Sequence, residues 1–313
     1  MQITNTILMV RPVRFRMNEE TAVNNYFQED IDIKNQTINL RAQQEFDDFV
    51  AVLRAKGVEV IVVDDIYERD TPDSIFPNNW VSFHASGAVG LYPMFAENRR
   101  RERREDILDI LEDKGFEIKT VIDYSSAEED NLFLEGTGSI VMDREHQKAY
   151  CALSPRADED LFIEFCEDME CTPVIFTANQ PVDGHRMPIY HTNVMMCIAE
   201  TFAVICLDAI DDKKERRNVL NHLKSDGKEI IAISEIQEQH FAGNMLQVIG
   251  EEEKRYLVMS SAAYNSLNPE QIEAINRHCE IIHSPLETIE TCGGGSARCM
   301  MAEIFLPRAE VLS

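Results

Sequence analysis

The feature that most constrains this chain is a phrase that recurs five times. An amphipathic helical stretch ends, often at a glycine, and an apolar strand follows within a few residues. Residues 39–56 carry Leu40, Phe46, Phe49, Val50 and Leu53 at helical spacing, Gly57 offers a left-handed stop, and residues 58–63 read as a buried strand. Residues 103–114, Gly115 and residues 116–122 repeat the pattern. So do residues 159–170 with 172–176, residues 213–226 and Gly227 with 229–233, and residues 269–279 with 280–283. The junctions, at Gly57, Gly115, Glu170, Gly227 and Cys279, fall about 50 to 60 residues apart. Between them lie hairpin-like pairs: 80–83 with 89–92, 139–142 with 149–153, 193–198 with 201–207, and 245–249 with 256–260. Five units of helix, strand and hairpin predict an α/β fold, closed as a five-bladed propeller with pseudo-five-fold symmetry. No linker or low-complexity stretch interrupts the chain, so residues 1–313 are expected to form one domain. No Gly-x-Gly-x-x-Gly follows the first strand, which leaves dinucleotide binding without support.

Charge narrows the partners. A formal net charge of −26 argues against nucleic acid and anionic membrane, both of which select clustered positive charge. The one basic run, Arg99-Arg100-Arg101-Glu102-Arg103-Arg104, reads as a solvated helical face with ion pairs at helical spacing. No apolar run reaches the roughly 20 residues of a membrane span, and no apolar segment follows a basic start. None of the eight cysteines forms a C-x-x-C pair, so they read as reduced thiols of a cytoplasmic protein. Neither a metal site nor an organic cofactor is expected, the partner is a small molecule, and a homo-oligomer is left open.

Three segments place polar residues where the repeat calls for apolar ones. Cys299 ends the run Gly293-Gly294-Gly295-Ser296-Ala297-Arg298-Cys299, and three consecutive glycines suit a backbone that turns sharply or approaches another group closely. A thiol leaving such a loop is a candidate nucleophile, set against the alternative of a small buried side chain. Glu135 interrupts residues 132–138, and His191 stands in Tyr190-His191-Thr192-Asn193 at the mouth of a very apolar strand. Taken singly, they read as a turn carboxylate and a structural histidine. Together with Cys299 they offer a nucleophile, a base and an orienting carboxylate at comparable positions in three repeats.

These motifs, in this order, resemble the guanidino-group-modifying (pentein) superfamily. That family includes the five-bladed propellers of arginine deiminase, dimethylargininase, glycine amidinotransferase and N-succinylarginine dihydrolase. Its Glu-Gly-Gly, His-x-Asp and glycine-rich C-terminal Cys segments match Glu135-Gly136-Thr137, His191-Thr192-Asn193 and residues 293–299. Residues 7–12 and the segment Phe76-Pro77-Asn78-Asn79-Trp80 resemble the arginine-deiminase-related branch, which includes citrulline hydrolases and amidinotransferase-like members. The resemblance implies a hydrolase of C–N bonds, with Cys299 as nucleophile, His191 as acid and base, and Glu135 as orienting group. Loop amides near Gly295 assist. Arg156, in Leu153-Ser154-Pro155-Arg156, resembles the family arginine that binds the carboxylate of an amino-acid substrate, with Arg186 and Arg298 as weaker candidates.

The departures from the family pattern concern charge. Where deiminases place carboxylates against a guanidinium, this chain has Asn79 and Asn193, and Gly138 stands where Asp is common. A carboxylate suits a cation, whereas an amide suits a neutral group that both donates and accepts. Citrulline is therefore the expected substrate, cleaved to ornithine, ammonia and carbon dioxide. A neutral substrate lends no charge to a thiolate, so a protonated His191 is expected beside Cys299. Arginine dihydrolase or deiminase chemistry and amidino transfer stay open, as does a non-catalytic binding protein of the same propeller type.

Overall fold

The five repeats owe their helix ends to identifiable residues. In the structure, a computed structural model that describes residues 1–309, Gly57, Gly115 and Gly227 adopt φ of 81°, 85° and 75°. They stop the helices Asn35–Ala55, Asp106–Asp113 and Lys213–Ser225. The third repeat has no glycine there and places Glu170 at φ 51° just after Glu159–Asp168. Helix starts are equally local. Asp158 accepts from the amides of Asp160 and Leu161, Asp212 from those of Lys214 and Glu215, and Asn268 forms a capping box with Gln271 ahead of Pro269–Asn276.

Five three-stranded sheets follow from these units, each with one hydrogen-bonding order. In each, the first strand pairs antiparallel with the second, and the second pairs parallel with the third after a helical crossover. Four sheets are continuous in sequence. They are Val81–Phe83, Ala88–Leu91 and Thr120–Asp123; Val141–Asp143, Lys148–Ala152 and Thr172–Phe176; Met196–Ile198, Phe202–Ile205 and Glu229–Ala232; and Leu246–Ile249, Arg255–Ser260 and Glu280–Ser284. The fifth joins the two ends of the described chain: Thr6–Arg11 pairs antiparallel with Ala302–Glu303 and parallel with Glu59–Asp64. A separate hairpin, Asn179–Val182 with His185–Pro188, lies outside the repeat. The result is an α/β fold of small separate sheets, and no single closed sheet links them among the described residues. None of the described helices is long and apolar enough to cross a membrane.

One residue of the helical reading is corrected. Helix Asn35–Ala55 buries Ile38, Ala42, Phe46, Phe49, Val50 and Leu53, while Leu40 is 60% exposed. At 3.6 residues per turn Leu40 lies about 120° around the helix from Phe46, off the buried stripe. Replacing Phe49, wholly buried, by Ala should cost about 3–5 kcal/mol in urea unfolding. Leu40→Ala should stay within about 0.5 kcal/mol of the parent.

Candidate active site

A short turn precedes the first strand of every sheet, and these turns carry the polar residues of interest. Pro77–Asn79, Gly136–Ser139 and Thr192–Met195 lead into Val81–Phe83, Val141–Asp143 and Met196–Ile198. Residues 241–244 and 296–301 lead into Leu246–Ile249 and Ala302–Glu303. Asn79, Gly138, Asn193, Asn244 and Cys299 thus occupy matching places, two or three residues ahead of a strand. The turns approach closely. A Cβ on Gly138 would lie 2.3 Å from Asn79 Nδ2 and 2.8 Å from His191 Nδ1, and one on Gly243 would lie 2.3 Å from the Val194 carbonyl oxygen.

Of the residues singled out in the sequence, Cys299, His191, Asn79, Arg156 and Gly295 line one cavity, together with Asp73 and Arg99. Its volume is about 10 Å³, room for roughly one water. Glu135 and Asn193 stand directly behind it. Glu135 is fully buried and accepts from His191 Nε2 at 2.7 Å and from the Phe95 amide at 3.0 Å. Asn193 Nδ2 lies 3.6 Å from Cys299 Sγ. Gly295 packs with no room for a side chain, since a Cβ there would meet the Phe76 ring at 2.9 Å.

Three residues escaped the sequence reading. Asn244 donates to Cys299 Sγ at 3.2 Å, and the Arg298 amide, bonded to Asn244 Oδ1 at 3.0 Å, fixes which end of the amide meets the sulfur. Its place in the fourth repeat, matching Asn193 in the third, is the signal that could have found it. Arg99 belongs to the run expected as a solvated face, yet it is buried, donates to Asn79 Oδ1 at 2.9 Å and pairs with Glu102 at 2.9 Å. Other members of the run do form ion pairs, as Arg103 does with Glu128. Asp73, the third, is buried with Oδ1 unpartnered.

The three candidate arginines lie in different surroundings. Arg156 lines the cavity, but its fork is already engaged: Nε donates to Asn24 Oδ1 at 2.8 Å, Nη2 to the Thr21 carbonyl at 2.9 Å, and Nη1 lies 3.6 Å from Glu135. Arg186 is tied to Asp211 and Glu235 outside the cavity lining, and Arg298 turns toward Glu303 and the Met301 carbonyl. Among the described residues, Asp143, His146 and Asp226 bring potential metal-ligand atoms together away from this cavity. Lys228 at 3.3 Å from Asp143 and Lys148 at 2.7 Å from Asp226 already neutralise those carboxylates.

Charge inside the site is set by burial and by the two arginines. Burial alone would raise the Glu135 carboxyl, but Arg156, the His191 hydrogen bond and Arg99 outweigh it and hold it at about 2. An ionised carboxylate only accepts, so His191 Nε2 carries the proton and Nδ1 keeps its lone pair. His191 is pulled down to about 4, by burial first and by Arg156 and Arg99 against the raising effect of Glu135. The expected protonated imidazole is thus replaced by a neutral one near pH 7. Between pH about 6.5 and 4 the unfolded chain takes up a proton at His191 that the folded chain refuses, so stability falls as pH falls through that window. Urea unfolding at pH 7 and pH 4 should show wild type losing about 3 kcal/mol more than His191→Gln. Equal losses would mean that His191 titrates normally.

Solved structures of known proteins share the fold of this chain. A crystal structure of ArgZ, an arginine dihydrolase from the ornithine-ammonia cycle in cyanobacteria, superposes with a TM-score of 0.74 at 18% identity over 97% of this chain and 41% of that one. The ArgZ N-terminal domain, covalently bound to a reaction intermediate, gives 0.70 at 17% identity over 96% of this chain and 99% of the domain. A dimethylarginine dimethylaminohydrolase variant carrying an S-methyl-L-thiocitrulline adduct gives 0.63 at 15% identity over 96% and 100%. This chain spans about two fifths of full-length ArgZ, and at these identities the likeness establishes the fold, that of the pentein enzymes. No curated protein sequence matches the chain. The sequence profile described as N,N dimethylarginine dimethylhydrolase, eukaryotic, matches residues 11–306. The protein therefore belongs to the N,N dimethylarginine dimethylhydrolase family.

Proposed function

We propose that the protein hydrolyses citrulline to ornithine, ammonia and carbon dioxide through a covalent intermediate on Cys299. The observation that carries this reading is the Asn79 amide. Arg99 occupies its oxygen at 2.9 Å, and its buried Nδ2 has no partner among the described residues. A buried donor left unmet costs roughly 1–3 kcal/mol. The ureido oxygen of citrulline meets it, whereas a guanidinium brings only donors. Gly138 supports the same reading, because a side chain there, carboxylate or other, would collide with Asn79.

His191 Nδ1 takes the thiol proton as Cys299 Sγ attacks the ureido carbon, and delivers it to the departing ammonia. Asn244 and Asn193 donate toward the sulfur and temper its charge. Glu135 holds the imidazole by Nε2. Water, deprotonated by Nδ1, cleaves the S-alkylthiocarbamate and releases an N-carboxylate, which loses carbon dioxide to leave ornithine. For Arg156 to bind the substrate carboxylate, Thr21 and Asn24 must leave its fork, and a cavity of about 10 Å³ likewise requires the segment around them to move before an amino acid enters. In this reading residues 1–313 form one catalytic domain whose five sheets are blades and whose five turns are the hub. The eight cysteines, none in a disulfide, fit a reducing cytoplasm.

A second reading, arginine dihydrolysis, is favoured by Asp73, a carboxylate on the same cavity with Oδ1 unpartnered. It also accords with the likeness to ArgZ. There Cys299 attacks a guanidino carbon, and citrulline is the half-way product.

Cys299→Ser should abolish turnover with the fold intact, and Asn244→Ala should lower kcat by roughly 100- to 1,000-fold, as for loss of one preorganised donor. The decisive measurement is the ratio of kcat/KM for citrulline and arginine, read as ornithine and ammonia released. Wild type should favour citrulline, and Asn79→Asp with Asn193→Asp should move the ratio toward arginine. A wild-type preference for arginine puts dihydrolysis in place of the citrulline reading.

A further inference from the structure

A cleft of about 750 Å³ shares a wall with the catalytic cavity and takes no part in the chemistry above. Neighbouring residues divide between the two: Asn25 and Gly293 to Gly295 line the cavity, while Tyr26, Phe27, Glu29, Glu290 and Thr291 line the cleft. Its volume falls within the range of small-molecule sites. Four acidic side chains line it, three of them the carboxylates of Glu29, Asp183 and Glu287 and the fourth Glu290, which burial pushes up to about 7, with no lysine or arginine among the lining residues. Three aromatic rings, Tyr26, Phe27 and Phe241, add faces suited to a cation, with Phe27 and Phe241 5.0 Å apart. Acidic groups alone define no site. The second observation is Gln180, which lines the cleft, is 3% exposed, and has an Nε2 with no partner among the described residues. A buried amide donor of this kind calls for an oxygen on whatever fills the cleft.

We propose that this cleft is a second binding site, for an organic cation of basic-amino-acid size that also carries a carboxylate or carbonyl oxygen. The cationic end lies among the carboxylates and rings, and the oxygen meets Gln180. An occupant would stand one layer from the nucleophile loop. Glu290 accepts from Ser296 Oγ at 2.6 Å, and Phe27 packs edge-on against Tyr190, whose hydroxyl donates to the Gly294 carbonyl. The site is therefore placed to sense or set the position of residues 293–299, whichever C–N bond the cavity cleaves.

The test is calorimetric titration of the full chain with L-lysine, which has the cation and the carboxylate but no ureido or guanidino carbon to attack. Norleucine, of similar size without the cation, is the control. Lysine should bind saturably and at least ten-fold more tightly than norleucine. Asp183→Asn with Glu287→Gln, both at exposed positions, should weaken it at least ten-fold, and Gln180→Leu should weaken it as well. Asp73→Asn, in the catalytic cavity, should leave it unchanged. Absence of saturable binding, equal binding of norleucine, or a loss confined to Asp73→Asn would overturn the proposal. The last outcome would assign the heat to the catalytic cavity. Because the readout is binding, the result stands apart from the identity of the substrate turned over.

Discussion

The site depends on one fully buried carboxylate. Glu135 has no access to water, and a carboxylate in that position would ordinarily surrender its charge. It keeps the charge because Arg156 lies 3.6 Å away, Arg99 3.8 Å away, and His191 bonds it at 2.7 Å. The same arginines that hold Glu135 ionised push His191 to its neutral form, so one cluster lowers both groups and leaves the carboxyl charged and the imidazole uncharged. Removing Arg156 or Arg99 would leave the buried Glu135 charge poorly compensated, which costs several kcal/mol.

Repetition supplies the scaffold on which this asymmetric chemistry is mounted. Every sheet is entered through a short turn, and the turns bring Asn79, Gly138, Asn193, Asn244 and Cys299 to equivalent places. Only the side chains differ. One turn supplies the sulfur, three supply amides, and one supplies empty space that lets the Asn79 amide and the His191 ring sit side by side. The amides are oriented by their neighbours: Arg99 holds the oxygen of Asn79, and the Arg298 backbone holds that of Asn244. Donors therefore face the reacting region without a carboxylate among these five residues.

The secondary structure was legible because its determinants are local. Glycine stops after helices, apolar strands behind them and alternating hairpins lie within a few residues of one another, and the strand Thr172–Phe176 agrees with the reading residue for residue. Leu40 was misplaced because its apolar character was read as burial, whereas its position lies about 120° around the helix from Phe46, off the buried stripe. The pairing of Thr6–Arg11 with Ala302–Glu303 could not be read, since a two-residue strand carries no periodicity and its partner lies at the other end of the chain.

By itself, the sequence determined the five-fold alternation and singled out Cys299, His191 and Glu135 as candidates, because unusual residues in a regular pattern stand out wherever they fold. Tertiary structure alone decided that Arg99, in a run that looks solvent-facing, is buried against Asn79, and that Asn244 touches the thiol. It alone decided that Arg156 spends its fork on Thr21, Asn24 and Glu135, and that His191 is neutral. The physical reason is the same in each case. Hydrogen-bond partners and local charge depend on which distant segments meet in a low-dielectric interior, and neither leaves a trace in the spacing of one chain.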